Sequence, residues 1–403
     1  MIIMNNYFYS SYFFEENNKQ MFLKLLTMKK EYDIKIHSKE SDNMKFLHMA
    51  DIHLDSPFAT LAGKEGLSQE RRLEQRKVMK DIVEYIKNND IPYLFIAGDL
   101  YEQEYIRKST IEYINDLFKQ IPDTKIFITP GNHDPYINNS FYKTFNWNDN
   151  VHIFTDKLER IKLEEADIYG YGFNDFYMEN KYENIKIENP DKINILITHG
   201  SVDGGNDENR QYNPMNSRIL KNRGFDYVAL GHIHKPSYQD YDNQKIIYPG
   251  STISLGFDEL GKRGYILADV EKSSMKLEFI ESKAKTFEEI KLDLTNINSV
   301  ESLLEAIEKL DLDEAKFYKI LLVGKRNFEV NPYELAKIIK QENIIKIKDQ
   351  SVINYNIEEI AKQINLKGLF AKNILNKIET QNDEAEKENL MKAFEIGIEI
   401  LNK

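Results

Sequence analysis

The sequence contains no cysteine, and none of its apolar runs approaches the ~20 residues that a membrane-spanning helix requires. Without cysteine the protein has no disulfides, no zinc ribbons and no thiol nucleophile, and this absence fits a reducing compartment. The first apolar patch, residues 21–28, is interrupted by Lys24 and preceded by Glu15 and Glu16, which is a poor match to a signal peptide. We therefore expect a soluble cytoplasmic protein without a membrane segment.

Basic residues are outnumbered by acidic ones. The chain has 54 lysines and arginines and 66 aspartates and glutamates, which gives a formal net charge of -12. Proteins that bind nucleic acid unaided usually present a basic surface that displaces counterions from the phosphates. Contact with DNA or RNA must therefore come from local basic patches, from metals or from a partner. The length of 403 residues and the hydrophobic fraction of 41% are those of a globular protein with two or three domains.

Residues 1–43 differ from the rest of the chain, being rich in tyrosine, phenylalanine, asparagine and lysine without a clean period. Met44 then opens an apolar run that ends at Asp51, a pattern typical of an initiator methionine followed by a buried strand. We therefore expect residues 1–43 to be a non-native or disordered extension, with the folded chain beginning at Met44.

Residues 44–283 alternate short apolar runs with helical patterns, which predicts an α/β domain layered around a central sheet. A helix is predicted at residues 72–87, where Val78, Ile82 and Ile86 recur at helical spacing. The clearest strands are predicted at residues 93–97, 125–128 and 193–197.

The pattern changes near Lys285. Residues 284–356 indicate a small α/β domain, with a helix at 300–310 and a strand at 317–323, and residues 357–403 are predicted to be wholly helical. Two apolar stripes mark this last segment: Leu366, Phe370, Ile374 and Ile378, and Leu390, Phe394, Ile398 and Leu401. The stripes either pack within their own domain or are offered to a partner.

Histidine, aspartate and asparagine side chains follow the predicted strands. The segments are Asp51-Ile52-His53, Gly98-Asp99, Gly131-Asn132-His133-Asp134, His199-Gly200 and Gly231-His232-Ile233-His234. Because ligands of open α/β sheets bind in a crevice at the carboxyl ends of the strands, we expect the five segments to converge on one site. Five of the eight histidines lie in these segments, which is too many for a scatter of structural histidines.

The donor types indicate which metals the site prefers. Carboxylate, imidazole and amide donors without thiolate suit manganese, iron or zinc, and are too rich in nitrogen for a dedicated magnesium or calcium site. Two such ions about 3.5–4 Å apart clamp a phosphoryl oxygen and generate a hydroxide nucleophile for in-line displacement. The pattern therefore predicts metal-dependent hydrolysis of a phosphoester.

Taken in order, the five segments resemble the full motif set of the calcineurin-like metallophosphoesterases. Each motif alone is weak, whereas all five at strand ends are specific. The resemblance implies a layered sandwich of mixed β-sheets flanked by helices. It also implies two bound divalent metal ions, with manganese expected first and iron or zinc as alternatives.

Within that superfamily, residues 45–283 most resemble the SbcD-type nucleases of DNA double-strand-break repair. The resemblance rests on residues 46–55, 98–101, 226–234, 248–251 and 255–261. It implies a DNA exonuclease or endonuclease that is a homodimer. Beyond the nuclease core it implies a small capping domain and C-terminal helices that dock on an SbcC-type coiled-coil ATPase, matched here by position and size alone.

The resemblance also implies a role for each site residue. The two metals would be held by Asp51, His53 and His234 and by Asn132, His199 and His232. Asp99 would bridge the two ions, and the nucleophile would be a metal-bound hydroxide. His133 would stay off the metals, stabilising charge on the phosphoryl group or protonating the leaving oxygen, with Asp134 orienting its ring.

Weaker candidates have structural explanations beside functional ones. Asp55 either reaches the site or starts the turn before Pro57, and Tyr101 either stacks on a nucleotide base or packs beside a strand end. Two basic clusters either follow a phosphate backbone or cover solvated surface: Arg71, Arg72, Arg76, Lys77 and Lys80, and Arg210, Arg218, Lys221 and Arg223. The first is better explained as a solvated helix face, and the second is the better candidate for DNA.

Three functions stay open at this point. The leading one is a manganese-dependent DNA nuclease working with an ATPase, which the capping domain and helical segment favour. The second is a phosphodiesterase or phosphatase for a small nucleotide or a phosphoprotein, which the acidic charge mildly favours. The third is a scaffold with a vestigial site, against which the intact set of donors argues.

Overall fold

The computed structural model describes residues 43–61, 64, 66–179, 181, 185–204, 212–237, 245–272 and 274–401. The predicted extension at residues 1–43 lies outside this part of the chain except for Asn43, which opens the first strand. The chain divides into two compact units. The first comprises the described residues of Met1–Pro57 with Arg71–Ile253 and Arg263–Lys283, and the second those of Phe58–Glu70, Ser254–Lys262 and Ala284–Lys403.

The strands, in chain order, are β1 (Asn43–Met49), β2 (Tyr93–Ala97), β3 (Lys125–Thr129), β4 (Val151–Ile153), β5 (Glu159–Lys162), β6 (Ala166–Gly170), β7 (Ile193–His199), β8 (Tyr227–Gly231), β9 (Ile246–Ile247), β10 (Gly264–Glu271), β11 (Met275–Glu281), β12 (Thr286–Asp293), β13 (Lys316–Val323), β14 (Lys325–Arg326), β15 (Ile344–Asp349) and β16 (Val352–Ile353). The helices are α1 (Leu67–Asn88), α2 (Lys108–Phe118), α3 (Phe141–Thr144), α4 (Ser217–Lys221), α5 (Val300–Glu308), α6 (Pro332–Ile338), α7 (Ile357–Ala361), α8 (Leu366–Thr380) and α9 (Glu384–Leu401).

Two mixed sheets build the first unit, in the orders β11-β10-β1-β2-β3-β4 and β5-β6-β7-β8-β9. Strands β1 to β4 run parallel, and β10 pairs antiparallel with β1. Strands β6 to β9 also run parallel, with β5 antiparallel at their edge. The strands predicted at residues 93–97, 125–128 and 193–197 are confirmed as β2, β3 and β7.

The core of the first unit lies between the two sheets. Phe46 of β1 packs on Phe95 of β2 with ring centroids 4.3 Å apart, and meets Tyr227 of β8 edge-on at 4.9 Å. Burial of each such ring stabilises the fold by about 1.5–3 kcal/mol. Parallel strands covered on both faces are apolar throughout, which is why these runs lack alternation. The expected α/β sandwich of mixed sheets with flanking helices is therefore confirmed.

The second unit contains a parallel sheet in the order β12-β13-β15. Leu303 and Ile307 of α5 and Ile320 and Leu322 of β13 share one buried cluster. The Ser299 side chain accepts a hydrogen bond from the Ser302 amide and caps α5. The small α/β arrangement predicted after residue 284 is present, and the helix ends two residues earlier than expected, at Glu308.

Helices α8 and α9 pack on each other through residues of the two predicted stripes and through Ala371, which belongs to neither stripe. Ala371 and Ile374 meet Phe394 and Ile398 in a buried cluster. A Cβ at Gly397 would lie 2.3 Å from the Phe370 ring, so this close approach requires glycine. The packing explanation of the stripes therefore holds for Ile374, Phe394 and Ile398. Within the described residues, no helix combines the length and apolar character needed to cross a membrane.

Candidate metal centre

The predicted donors meet at one edge of the first unit. Asp51 comes two residues after β1, Asp99 two residues after β2, and Asn132 three residues after β3, while His199 ends β7 and His232 follows β8. Since these strands run parallel within their sheets, their carboxyl ends bring the donors together.

One group of donors consists of Asp51, His53 and His234, whose ligand atoms all lie within 4.8 Å of one another. The Nε2 atoms of His53 and His234 are 3.1 Å apart. Two imidazole nitrogens at this distance can contact one ion, because metal–nitrogen bonds of about 2.0–2.1 Å allow such a separation. The group therefore fits one divalent cation.

A second group lies beside the first. His199 Nε2 is 3.0 Å from Asn132 Oδ1, and His232 Nδ1 is 3.2 Å from the same oxygen. Asp99 Oδ2 is 3.3 Å from His199 Nε2 and 3.6 Å from His53 Nε2. The carboxylate of Asp99 thus lies between the two groups, where a bridging ligand has to be.

Two buried carboxylates dominate the electrostatics of the site. Burial raises the pKa of Asp51, and the neighbouring His234 and His199 offset this only in part. Burial also opposes ionisation of Asp99, yet the surrounding His199 and His53 hold its pKa well below the ordinary value. Buried carboxylates of this kind require paired cations or metals. The donor chemistry and the charge therefore fit a pair of divalent ions.

The loop after β1 reaches the site through a strained backbone. Asp51, His53 and Asp55 adopt positive φ angles of 53°, 49° and 63°, a region that costs non-glycine residues of order 1–3 kcal/mol each. The loop is fixed to its neighbour by hydrogen bonds from the Asp51 amide to Gly98 O (3.2 Å) and from the His53 amide to Asp99 O (3.0 Å). These hydrogen bonds stabilise the strained backbone conformation of the loop.

Gly98 makes room for a predicted ligand. A Cβ at this position would lie 2.3 Å from His199 Nδ1, and the residue has a φ of +85°. His199 Nδ1 instead lies 2.9 Å from Ala97 O, to which it donates in the tautomer that leaves Nε2 free for a metal. The glycine before Asp99 is therefore required by packing as well as by conformation.

His133 is oriented by Glu102, and not by Asp134 as predicted. Glu102 Oε2 lies 3.0 Å from His133 Nδ1, and its other oxygen, Oε1, lies 2.8 Å from His53 Nδ1. One carboxylate therefore fixes the ring of a predicted metal ligand and the ring of the predicted catalytic histidine. The His133 side chain is 45% exposed, so it borders the opening of the site.

Asp134 has a structural role, because its carboxylate accepts hydrogen bonds from backbone amides of the site. The amides of Gly131 (2.6 Å) and Asp99 (3.0 Å) donate to Oδ1, and the amide of Leu100 (2.7 Å) and the hydroxyl of Tyr142 (2.5 Å) donate to Oδ2. Asp134 thus ties the loop after β3 to the loop after β2, because its carboxylate lies buried beneath both.

The sequence patterns missed two further residues. Glu102 follows Asp99 by three positions on the same loop, so an inspection of acidic residues near each motif would have found it. Gln75 carries no such signal, since it lies in the middle of α1. Its buried side chain donates to Ile52 O (2.8 Å) and His53 O (2.7 Å) and so supports the metal-binding loop from behind.

The weaker candidates receive mostly structural roles. Tyr101 is fully buried and cannot stack on a base. Asp55 Oδ2 accepts hydrogen bonds from the Thr110 hydroxyl (2.7 Å) and the Arg107 amide (3.1 Å). In the first basic cluster, Arg71 is fully buried and pairs with Glu74. The second cluster remains untested, with Arg210 outside the described residues.

Comparisons of the amino-acid sequence with known proteins point in one direction. A family model described as "Calcineurin-like phosphoesterase" matches residues 44–236, which include all nine predicted site residues. "Uncharacterized metallophosphoesterase YhaO" of Bacillus subtilis is 25% identical over 276 residues, covering 66% of this chain and 67% of that protein. The SbcD component of the SbcCD nuclease of Staphylococcus epidermidis is 28% identical over 269 residues, covering 58% and 67%. Among solved structures, TT1561 of Thermus thermophilus covers 59% of this chain and 98% of that chain, with 8% identity and a TM-score of 0.36.

Proposed function

Residues 44–236 form a calcineurin-like phosphoesterase domain, and from this premise we propose that the protein is a two-metal phosphodiesterase, the nuclease subunit of an SbcCD-like DNA-repair complex. The observation that carries the proposal is the convergence of carboxylate, imidazole and amide donors from separate strand ends, with Asp99 between two groups. The second group of donors supports a centre for two ions in place of one.

The donors would divide between two divalent ions, with manganese proposed first and iron or zinc as alternatives. Asp51, His53 and His234 would hold one ion, Asn132, His199 and His232 would hold the other, and Asp99, which lies between the two groups, would contribute to both. Ions bound there would supply Lewis-acid polarisation of the phosphoryl group and would acidify the attacking water. His133, held by Glu102 at the mouth of the site, stabilises charge on the phosphoryl oxygens or delivers a proton to the leaving oxygen.

Metal binding should stabilise the fold. At a manganese concentration 100 times the Kd, we expect each site to add about 2.7 kcal/mol to the free energy of unfolding, which raises the Tm by roughly 5–10 °C per site. Differential scanning calorimetry of chelator-treated protein, with and without manganese, measures this shift. A Tm that ignores manganese would contradict the assignment of these residues as ligands.

Replacing Glu102 by glutamine should weaken the site without dismantling it. An amide accepts through one oxygen only, so it cannot accept Nδ1–H bonds from both His53 and His133 as the carboxylate can. We expect metal affinity or activity to fall about 10–100-fold, as for other outer partners of metal ligands. Titration calorimetry with manganese and steady-state kinetics measure the two effects. Glu104→Gln, an exposed neighbour, is the control that should match wild type.

DNA is the proposed substrate because of the similarity to the SbcD component of SbcCD. Manganese-dependent digestion of linear DNA, lost after chelation, is the expected result. Turnover of bis-p-nitrophenyl phosphate without cleavage of DNA, even with an SbcC-type ATPase present, would instead favour the alternative of a small-nucleotide phosphodiesterase or phosphoprotein phosphatase. The net charge of -12 is the observation that keeps this alternative open.

The partner is proposed to bind the C-terminal helices. Leu366 and Leu369 of α8 are 65% and 68% exposed, and Ile396 and Ile400 of α9 are 59% and 65% exposed. Within each helix the two residues lie three or four positions apart and so share a face. Exposed apolar side chains grouped in this way suit docking on a coiled coil.

Charge on these two apolar helix faces should break the complex. We expect the double variant Leu369→Glu, Ile400→Glu to bind the SbcC-type ATPase at least about 30-fold more weakly, the effect of losing a central apolar contact. Biolayer interferometry with the purified ATPase measures the Kd. Ile338→Glu, an exposed apolar residue of α6, is the matched control. Unchanged binding by the double variant would remove these helices from the interface.

A further inference from the structure

Aromatic rings lead from the metal centre to the surface of the first unit. The ring of Tyr212 lies 5.0 Å from the ring of His232, a proposed metal ligand, and 5.5 Å from the ring of Tyr177, measured between centroids. Tyr177 is 45% exposed and its neighbour Phe176 is 39% exposed. The series therefore begins at the proposed phosphate-binding site and ends in solvent.

The backbone holds these rings in place. The Ser201 amide donates to Tyr212 O at 3.1 Å, and the Asn213 amide donates to Met178 O at 2.7 Å. The Asn213 side chain donates to His199 O at 2.8 Å, which connects this segment to a proposed ligand. A Cβ at Gly200 would lie 2.8 Å from Tyr212 O, so the close approach depends on glycine. The rings are thus positioned before any substrate arrives.

Packing alone explains only the inner part of this series. Tyr212 packs against the buried cluster that contains Tyr171, Leu196 and Met215. Tyr177 and Phe176 keep large apolar surfaces in water next to a site for phosphodiesters. Exposed rings beside a phosphate-binding site suit a nucleobase, because base–aromatic stacking is strong and tolerates any base. Tyr101, for which the sequence left base stacking and packing open, is buried and cannot serve.

We propose that Tyr177, supported by Tyr212, forms a nucleobase subsite of the metal centre, so that the preferred substrate is a phosphodiester carrying a nucleoside. The inference rests on the proposed phosphodiesterase function and narrows its substrate class. Phosphoserine and phosphothreonine carry no aromatic ring, so a protein phosphorylated on these residues gains nothing from this subsite.

The test compares two diesters that share a leaving group. Thymidine 5′-(p-nitrophenyl phosphate) carries a base, and methyl p-nitrophenyl phosphate carries a methyl group instead. We expect Tyr177→Ala to raise KM for the thymidine diester about tenfold, the effect of losing one stacked base. The methyl diester should stay within about twofold of wild type, and Tyr177→Phe should retain the preference because the ring is kept. Tyr333→Ala, an exposed tyrosine of the second unit, is the control.

A binding measurement separates the subsite from catalysis. Titration calorimetry should show that Tyr177→Ala binds thymidine 5′-monophosphate about tenfold more weakly than wild type and binds methyl phosphate equally well. A single-stranded oligonucleotide as substrate then identifies the source of the base. A matching rise of KM for the oligonucleotide supports a polymer substrate, and an effect confined to the thymidine diester supports a small nucleotide; both retain the subsite.

Failure of the nucleobase subsite and failure of the proposed phosphodiesterase function give different results. If wild type turns over the methyl diester and Tyr177→Ala changes both diesters alike, or changes neither, the subsite is overturned and the proposed phosphodiesterase stands. If wild type with manganese hydrolyses neither diester, the proposed function is overturned and the subsite with it.

Discussion

Replacing Asp99 by asparagine should lower kcat for bis-p-nitrophenyl phosphate by about a thousandfold, because the bridging ligand supplies several kcal/mol through the metals that it holds. Asparagine keeps the shape of the side chain and an oxygen that can accept from the His133 amide, which donates to Asp99 Oδ1 at 2.9 Å. It removes the charge that lies between His53 and His199. The variant should therefore fold and lose one of its two ions.

Metal analysis by inductively coupled plasma mass spectrometry, beside steady-state kinetics, checks both parts of this result. Asp116→Asn, an exposed aspartate of α2, should match wild type in metal content and kcat. An Asp99→Asn variant with full activity would show that the two-ion scheme is wrong. A variant that binds two ions but has lost activity would show that Asp99 is not the bridging ligand and has another role in catalysis.

Replacing His133 by alanine should lower kcat about 10²–10⁴-fold for diesters with a nucleoside leaving group, the range found for loss of a general acid or base. The loss should be smaller for p-nitrophenyl esters, because p-nitrophenolate leaves without needing a proton. Metal affinity should change little, since Nδ1 of the ring lies against Glu102 and the 45% exposed side chain faces the opening of the site.

Oligonucleotide cleavage and bis-p-nitrophenyl phosphate hydrolysis, measured on the same preparation, give the leaving-group dependence. His152→Ala is a suitable control, because this histidine lies on β4 and pairs with Glu159. Equal losses for both leaving groups would assign His133 to stabilising the phosphoryl charge. A loss of bound manganese in the variant would place His133 among the ligands, contrary to the proposal.

Local sequence patterns were enough to predict the main strands and the convergence of the candidate metal donors at their ends. The apolar runs at β2 and β3 are bounded by turn residues, and each is followed within three residues by a polar donor, Asp99 and Asn132. Parallel strands then place these donors at one edge, whatever the details of the loops. The coarse fold and the group of candidate ligands follow from the periodicity of the chain and the position of its polar residues.

The supporting contacts could not be predicted in this way. Asp134 is next to His133 in the chain, yet its carboxylate turns inward to buried amides while Glu102 reaches the ring from another loop. Gln75 acts across a helix–loop contact that no local pattern records. Tyr101 is an aromatic residue of the kind that can stack on a base, but the fold buries it against Tyr142. The two ring centroids are 5.0 Å apart. Such contacts depend on the tertiary fold, and short-range patterns do not contain them.

The central claim is that two metal ions in this centre hydrolyse phosphodiesters, and a single titration tests it. Manganese is added stepwise to chelator-treated full-length protein while calorimetry counts the bound ions and aliquots are assayed with bis-p-nitrophenyl phosphate. We expect two ions per chain, and activity that rises with occupancy of the second. Saturation at one ion, or hydrolysis that proceeds equally well without metal, would contradict the account.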